Sequence, residues 1–480
     1  MTKFEVVLIA TPGFGNFVPI VEFAQRLIDH DPRFSATILI ITMPGRPLLD
    51  TYIQSRVATS ATKIKFVHLP TVDHPSPDQS QILVAHVSSL VEKQKPNVRQ
   101  AITDLMGTEL DSDSESNSVP QLAGLFVDMF CTSIIDVAKE LDIPCYLYFA
   151  SPASFLGFML HLPILDTQLT TTELAELDTE LVIPGFVNPV PPSVLPPVAL
   201  KRDGFSCFLY HGRRYFETKG IIINTLQELE PHTLNSLSTS QMPRVYPIGP
   251  VLELAGPAQW HPDQAHHQNI LNWLDDQPLS SVVFLCFGSM GSFDVQQVRE
   301  IAHGLERAGV RFLWSLREKP KAQLNLPNDY TSLEEVLPNG FLERTVGIGL
   351  VCGWVSQVSI LAHKAVGGFV SHCGWNSILE SLWHAVPIAT WPIYAEQQMN
   401  AFMMVKELGL AVEIRLDYKM GSRMVLAEEI EEGIKSLMDG DSEVRKKVKE
   451  MSLKAKMAVG ENGSSCTSLG TLIDELANGV

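Results

Sequence analysis

The sequence predicts an α/β protein built from two doubly wound parallel-sheet domains that face a cleft. Three observations carry this. The chain has 480 residues, which at roughly 100–200 residues per domain suits two large cores better than one. Apolar runs of strand length alternate with segments of helical periodicity in both halves, as repeated βα units do. A proline- and glycine-rich stretch, Val245–Pro262, separates the halves, and the βα rhythm restarts after it. The expected division is a first domain at 1–245, a linker at 246–262, a second domain at 263–460, and a terminal helix in 461–480 that packs back on the first domain.

Phe4–Ala10 is a continuous apolar run, as strands covered on both faces are. Gly13 and Gly15 punctuate it, and Val18–Asp29 has helical spacing. Ala36–Thr42 and Ile64–Leu69 read as the next strands and Ile82–Leu105 as a helix. Gly107–Val119 is rich in Asp, Ser, Glu and Asn and has little to bury, which makes it an exposed, mobile loop. The strand Leu122–Val127, the helix Cys131–Leu141 and the strand Cys145–Phe149 follow. Pro184–Pro197 is too proline-rich for a regular element and reads as a surface loop bordering a pocket. Gly220–Asn224 is the last strand expected in the first half. In the second half, the strands Ser281–Phe287 and Arg311–Leu316 flank the helix Asp294–Arg307, and Lys319–Tyr330 is a polar loop. Gly349–Cys352, Gly368–Val370 and Pro387–Thr390 are short strands that lead into helices. Glu428–Met438, Ser442–Ala458 and Thr467–Ala477 are the closing helices.

Composition narrows the function. Hydrophobic residues make up 45% and charged ones 19%, a globular balance. The net charge is 36 − 54 = −18, a field that repels nucleic acid and anionic lipid. Seven cysteines, an odd number without a CxxC spacing, argue against a disulfide framework or structural zinc and for a reducing compartment. Glu5 and the shortness of the first apolar run argue against a signal peptide. No apolar stretch reaches the about 18 residues of a membrane span. A soluble, cytoplasmic monomer is the expectation.

Chemistry concentrates in Trp354–Gln397. Ser371-His372-Cys373-Gly374-Trp375-Asn376-Ser377 follows a strand and opens a helix. Free amides and the positive end of the helix dipole then point into the cleft, which suits a diphosphate. His372, Asn376 and Ser377 can add side-chain donors. Glu380 lies one turn further along the same face; a carboxylate there suits a ribose diol better than a phosphate. Trp354 offers a flat face for a base, and Glu396-Gln397 can fork onto sugar hydroxyls. Singly, Asn376 and Ser377 could be helix caps, His372 a structural histidine, and Trp354, Trp375 and Trp391 core residues. Their convergence in one strand–turn–helix stretch favours the site.

Other patterns carry less. Gly13-x-Gly15-x-x-Val18 lacks the third glycine of a dinucleotide fingerprint, and no acidic residue ends the second strand. Asp111-Ser112-Asp113 sits in a polar loop rather than after a strand. His266-His267 has no partner at metal-ligand spacing and reads as a solvated helix start.

The stretch Trp354–Gln397 resembles the signature box of plant family 1 UDP-glycosyltransferases. It matches in length, in Trp354-x-x-Gln357, in the His372-to-Ser377 centre and in the Glu396-Gln397 end. The resemblance extends to the N-terminal glycine turn, to Asp128 and to Phe287-Gly288-Ser289. Wording such as Pro387-Ile388-Ala389-Thr390-Trp391-Pro392 is similar to the branch acting on flavonoids and small phenols. The resemblance implies the GT-B fold and inverting, metal-free transfer of a sugar to a small phenolic acceptor, with UDP-glucose as donor substrate and no cofactor. The first domain would shape the acceptor pocket and the second hold the donor. Uracil would lie on Trp354 and bond the backbone of Val355. Gln357 and Glu380 would hold the ribose, and His372, Asn376, Ser377 and Ser289 the diphosphate. Trp375, Tyr394, Glu396 and Gln397 would face the sugar, the terminal Gln397 favouring glucose. Acceptor contacts are expected around Phe14, Met129, Phe149, Phe155, Pro184–Pro197 and Ala395.

Three positions depart from the family pattern. Ser356 stands for the usual Pro and Ala385 for the usual Gly. Asn16 stands where the family has its catalytic His, beside the matching Asp128. An Asn cannot act as a general base near neutral pH. Asn16 therefore leaves open a weak transferase or a pseudoenzyme that binds UDP-sugar without efficient transfer.

Overall fold

The computed structural model describes residues 2–43, 47–59, 63–73, 82–107, 120–168, 173–238, 242–254, 263–320, 326–419 and 423–479. Most of the expected 107–119 loop, with Asp111-Ser112-Asp113, and the linker residues 255–262 lie outside them.

The first half is a seven-stranded parallel sheet in the order β3-β2-β1-β4-β5-β6-β7. Its strands are β1 (Phe4–Ile9), β2 (Phe34–Ile40), β3 (Ile64–His68), β4 (Gln121–Asp128), β5 (Cys145–Phe149), β6 (Gly220–Ile223) and β7 (Arg244–Pro247). Every residue of β1 is buried, because helices cover both faces; this is why the strand reads as an unbroken apolar run. β6 is not the last strand. β7 pairs beside it, Ile223 opposite Pro247. A proline that reads as linker is tolerated here because β7 is an edge. The chain beyond β7 is strapped to the first half rather than free. Arg26 donates to the carbonyls of Ile248 and Pro250 at 2.8 and 2.9 Å, and the Asn224 side chain bonds both N and O of Val251.

The second half is a six-stranded parallel sheet in the order β12-β9-β8-β13-β14-β15. These strands are β8 (Val282–Cys286), β9 (Arg311–Ser315), β12 (Gly349–Cys352), β13 (Val366–Ser371), β14 (Ile388–Thr390) and β15 (Ala411–Glu413). The polar segment after β9 contains a short antiparallel ribbon, β10 (Arg317–Glu318) with β11 (Asn328–Asp329), where the sequence suggested only a loop. The final helix, Ser464–Asn478, lies on the first sheet. Tyr146 donates to its Glu475 at 3.1 Å, Tyr246 bonds the same carboxylate, and Ser465 reaches the Gly249 carbonyl at 2.5 Å.

Each sheet reverses its winding once, between β1 and β4 and between β8 and β13. The loops that leave these neighbouring strands run to opposite faces of their sheet, and a crevice opens at the strands' carboxyl ends. Both crevices open into one cleft.

The helix Trp375–Trp383, which starts at the second crevice, ends in a Schellman motif: Val386 N–H reaches the Ser381 carbonyl and Ala385 N–H the Leu382 carbonyl, at 3.0 and 3.1 Å. Ala385 occupies the left-handed position at φ +58°. A Cβ costs roughly 1–2 kcal/mol there, which gives a physical reason for the usual Gly. Ala385→Gly is expected to stabilise the protein by about 1 kcal/mol, read as a higher urea midpoint; a lower midpoint would contradict the strain.

Candidate active site

The cleft has a cavity volume of about 370 Å³ and is lined from both halves. On the first side, β1 and β4 run in register, Ile9 opposite Val127, so the residues that follow them meet. Thr11 donates to Asp128 Oδ1 at 2.9 Å, Asn16 Nδ2 to Oδ2 at 2.9 Å, and Phe130 N–H to Oδ1 at 3.0 Å. Asp128 is 1% exposed. Burial raises its carboxyl above the usual range, and the three donors pull it back down. Asp128 stands behind Asn16 and does not line the cleft, whereas Asn16 does. With its NH2 given to Asp128, Asn16 keeps Oδ1 as the atom that can accept from a bound hydroxyl.

On the second side, β8 and β13 end together, Cys286 opposite Ser371. The turn after β8 carries Gly288, at φ +76°, and Ser289. A Cβ at Gly288, or at Gly374, would lie 2.5 Å from His372 Nε2, so two glycines let the imidazole sit between these turns. Burial pushes His372 down to about 4, leaving a neutral ring that can donate one N–H. Gly374 caps the helix Trp375–Trp383 in extended conformation without a side-chain bond, and the helix's first amides face the cavity.

Ser356 explains its own departure: its hydroxyl accepts from Ser359 N–H and caps the short helix from Gln357. That helix delivers Gln357, whose Nε2 bridges Ser377 Oγ and Glu380 Oε2 at 2.8 and 2.7 Å. Burial first, and then the charge of Glu253, push Glu380 up to about 7 against the Gln357 bond. Trp354 and Val355 complete this end. The Trp354 N–H is held by Asp329 at 3.0 Å, and Asp329 pairs with Arg317 at 2.8 Å.

At the other end, Glu396 accepts from Ser151 of the first half at 3.2 Å, and burial raises its carboxyl. Tyr394 stands beside His372, and burial also raises its phenol. Gln397 Oε1 accepts from the amides of Ile393 and Tyr394 at 2.9 and 3.0 Å, and its side chain also bonds the Tyr394 phenol.

All the expected donor-site residues therefore line one cavity: Ser289, Trp354, Val355, Gln357, His372, Trp375, Asn376, Ser377, Glu380, Tyr394, Glu396 and Gln397. Two of them spend side-chain donors on backbone carbonyls of the first half. The Trp375 indole donates to the Asn224 carbonyl at 2.6 Å, and Asn376 Nδ2 to the Gly15 carbonyl at 2.8 Å. The Trp375 indole N–H is thus spent on the first half and is not left for a ligand.

Among the expected acceptor contacts, Phe14, Met129, Phe155 and Ala395 line the cavity. Phe149 itself does not, its ring being fully buried against Tyr215 and Phe155, but Ala150 and Ser151 directly after it do. No residue of Pro184–Pro197 lines it either. That segment crosses between the halves outside the cleft, where Val187 and Asn188 amides bond Glu407. Val84, Phe130, Val198 and Phe208 take its place in the wall. Sequence reasoning gave Thr11, at the start of the glycine turn, no role, and missed Glu253, Asp329 and Arg317, none of which lies in a motif.

The model of the family "UDP-glucoronosyl and UDP-glucosyl transferase" matches residues 216–454. UDP-glycosyltransferase 43 of Pueraria montana var. lobata is 60% identical over 480 residues, all of both chains. The chain belongs to the UDP-glycosyltransferase family. UDP-glucose flavonoid 3-O-glucosyltransferase 6 of Fragaria ananassa is 46% identical over 98% of each chain. Among solved structures, Medicago truncatula UGT71G1 complexed with UDP-glucose superposes with a TM-score of 0.87 at 43% identity, covering 99% of this chain and 98% of that one. The two facing parallel sheets are thus the GT-B fold, and the protein is a glycosyltransferase that uses a UDP-sugar. Among the described residues no helix is long and apolar enough to cross a membrane.

Glu380, which Gln357 holds in the cavity wall, is a carboxylate that titrates near neutral pH. Its pKa is raised, so the ionised form that accepts from hydroxyls prevails above about 7. UDP affinity is expected to fall about tenfold between pH 8 and pH 6, and Glu380→Gln should flatten that slope in calorimetry. An equal slope in enzyme and variant would remove Glu380 from the nucleotide site.

Proposed function

We propose that the protein transfers glucose from UDP-glucose, with inversion and without a metal, to a hydroxyl of a small phenolic acceptor. The observation that carries this is the division of the cleft. One end offers polar groups matched to a nucleotide sugar; the other offers Phe14, Met129, Phe130, Phe155 and Phe208, an aromatic wall suited to a flat, apolar ring.

In this reading Trp354 stacks the base, the Val355 backbone bonds it, and Gln357 and Glu380 take the ribose. The helix amides, Ser289, His372, Asn376 and Ser377 hold the diphosphate, which is also the leaving group; donors aimed there stabilise charge as the anomeric bond breaks. The acceptor oxygen attacks from the opposite side, forming the β-glucosidic bond as the bond to UDP breaks; an acidic phenol gives its proton to solvent beforehand and attacks as the phenolate. Among the described residues no three His, Cys, Asp or Glu side chains are grouped to hold a metal ion. Full activity in EDTA is expected; loss that a divalent ion restores would contradict the metal-free mechanism.

Asn16 decides how well the chemistry runs. Its Oδ1 can orient the acceptor hydroxyl but cannot take the proton, and Asp128 is screened behind it. A missing general base typically costs about 10²–10⁴ in rate, least for acidic phenols, which ionise readily. Activity biased to acidic acceptors and dependent on Asp128 is expected. Asn16→His would place an imidazole between Asp128 and the acceptor. It should raise rates most for the least acidic phenols; unchanged rates, together with a harmless Asp128→Ala, would remove this pair from catalysis. Wild-type binding of UDP-glucose with no glucoside formed would favour the pseudoenzyme, which rests on Asn16 alone.

Donor choice falls to Glu396 and Gln397. Gln397→His removes the oxygen that accepts the Ile393 and Tyr394 amides and, in this reading, the NH2 that faces the sugar. The ratio of UDP-galactose to UDP-glucose rates should rise; an unmoved ratio would place sugar selection elsewhere.

A further inference from the structure

The helix Trp375–Trp383 is tied to the other half by its first two side chains. Trp375 Nε1 bonds the Asn224 carbonyl and Asn376 Nδ2 the Gly15 carbonyl, at 2.6 and 2.8 Å. Gly15 directly precedes Asn16. The helix that contains both, Phe14–His30, has Gly13 as its N-cap and no side-chain cap, and glycines at 13 and 15 leave its first turn little stiffness of its own. Asn376 Oδ1 is buried without a partner among the described residues. Turning the carboxamide over would set Oδ1 against the Gly15 carbonyl oxygen, so the donor bond fixes its orientation. Trp375, 3% exposed, anchors its own helix independently.

We propose that Asn376 is a positioning residue for the acceptor side: it fixes the Gly15–Asn16 turn and, through it, the place of the Asn16 carboxamide relative to the donor sugar. This rests on the reading of the cleft given above and is separate from any contact of Asn376 with the diphosphate. A diphosphate contact acts on donor affinity and serves all acceptors alike. A tie to the Asn16 turn acts on the alignment of the acceptor hydroxyl, and misplacement by about 1 Å can cost about a hundredfold in rate.

The test is a double-mutant cycle with Asn16→Ala and Asn376→Ala, using kcat at saturating UDP-glucose, with UDP affinity measured by calorimetry. Asn376→Ala should lower kcat about tenfold or more and UDP affinity by a smaller factor. In the Asn16→Ala background its effect on kcat should shrink to less than about threefold, because coupled residues are not additive. A second readout needs only the single variant: its loss should grow from acidic to weakly acidic phenols. Asn376→Leu, which keeps the volume and removes the donor, replaces Ala if melting shows that Ala disturbs the fold. The same factor in both backgrounds, or a loss uniform across phenols and matched by lost UDP affinity, overturns the proposal while leaving the functional reading intact. A wild-type enzyme that makes no glucoside overturns both.

Discussion

Everything at the site follows from one topological constraint. Each parallel sheet reverses its winding once, and only there do neighbouring loops diverge enough to leave room for a ligand. The first reversal places Thr11, Asn16 and Asp128 together; the second places Gly288, Ser289, His372 and the start of the helix at Trp375 together. A transferase needs two reactants at van der Waals distance, which requires the two reversals to face each other at a fixed width. A few direct bonds set that width: Trp375 to Asn224, Asn376 to Gly15 and Ser151 to Glu396. The terminal helix adds a brace on the back of the first sheet through Glu475.

Electrostatics then divides the labour. The protein carries −18 overall, yet its donor must bring a diphosphate. Neutral donors resolve the conflict. His372 is held uncharged by burial, and helix amides, hydroxyls and carboxamides supply partial positive charge without a solvated cation. The cleft's buried carboxylates are each paired with a neutral donor: Glu380 with Gln357, Glu396 with Ser151. Asp128 stands apart. It does not line the cavity and holds Asn16 in place by accepting its side-chain N–H.

Much of this was legible in the sequence, for a physical reason. Most residues of the proposed nucleotide end fall within Trp354–Gln397, so neighbours in space are close in the chain; Ser289 joins them from the turn after β8. The apolar wall of the cavity comes from Phe14, Val84, Met129, Phe155, Val198 and Phe208, far apart in sequence and indistinguishable from core residues by type. Phe149 illustrates the hazard: alternation along β5 sends its ring into the core rather than the cavity. Asp329 and Arg317 act through the Trp354 backbone, and Asn224 and Gly15 through carbonyl oxygens, which no side-chain pattern announces. β7 was hidden because Pro247 looks like a linker residue until the strand is known to be an edge.

The central claim is that the cleft joins a sugar from UDP-glucose to a phenol. The most direct measurement follows UDP and glucoside together, by mass spectrometry, from UDP-glucose and an acidic phenol. The account predicts one glucoside for each UDP released. UDP released without glucoside, or neither product from any phenol, would contradict it.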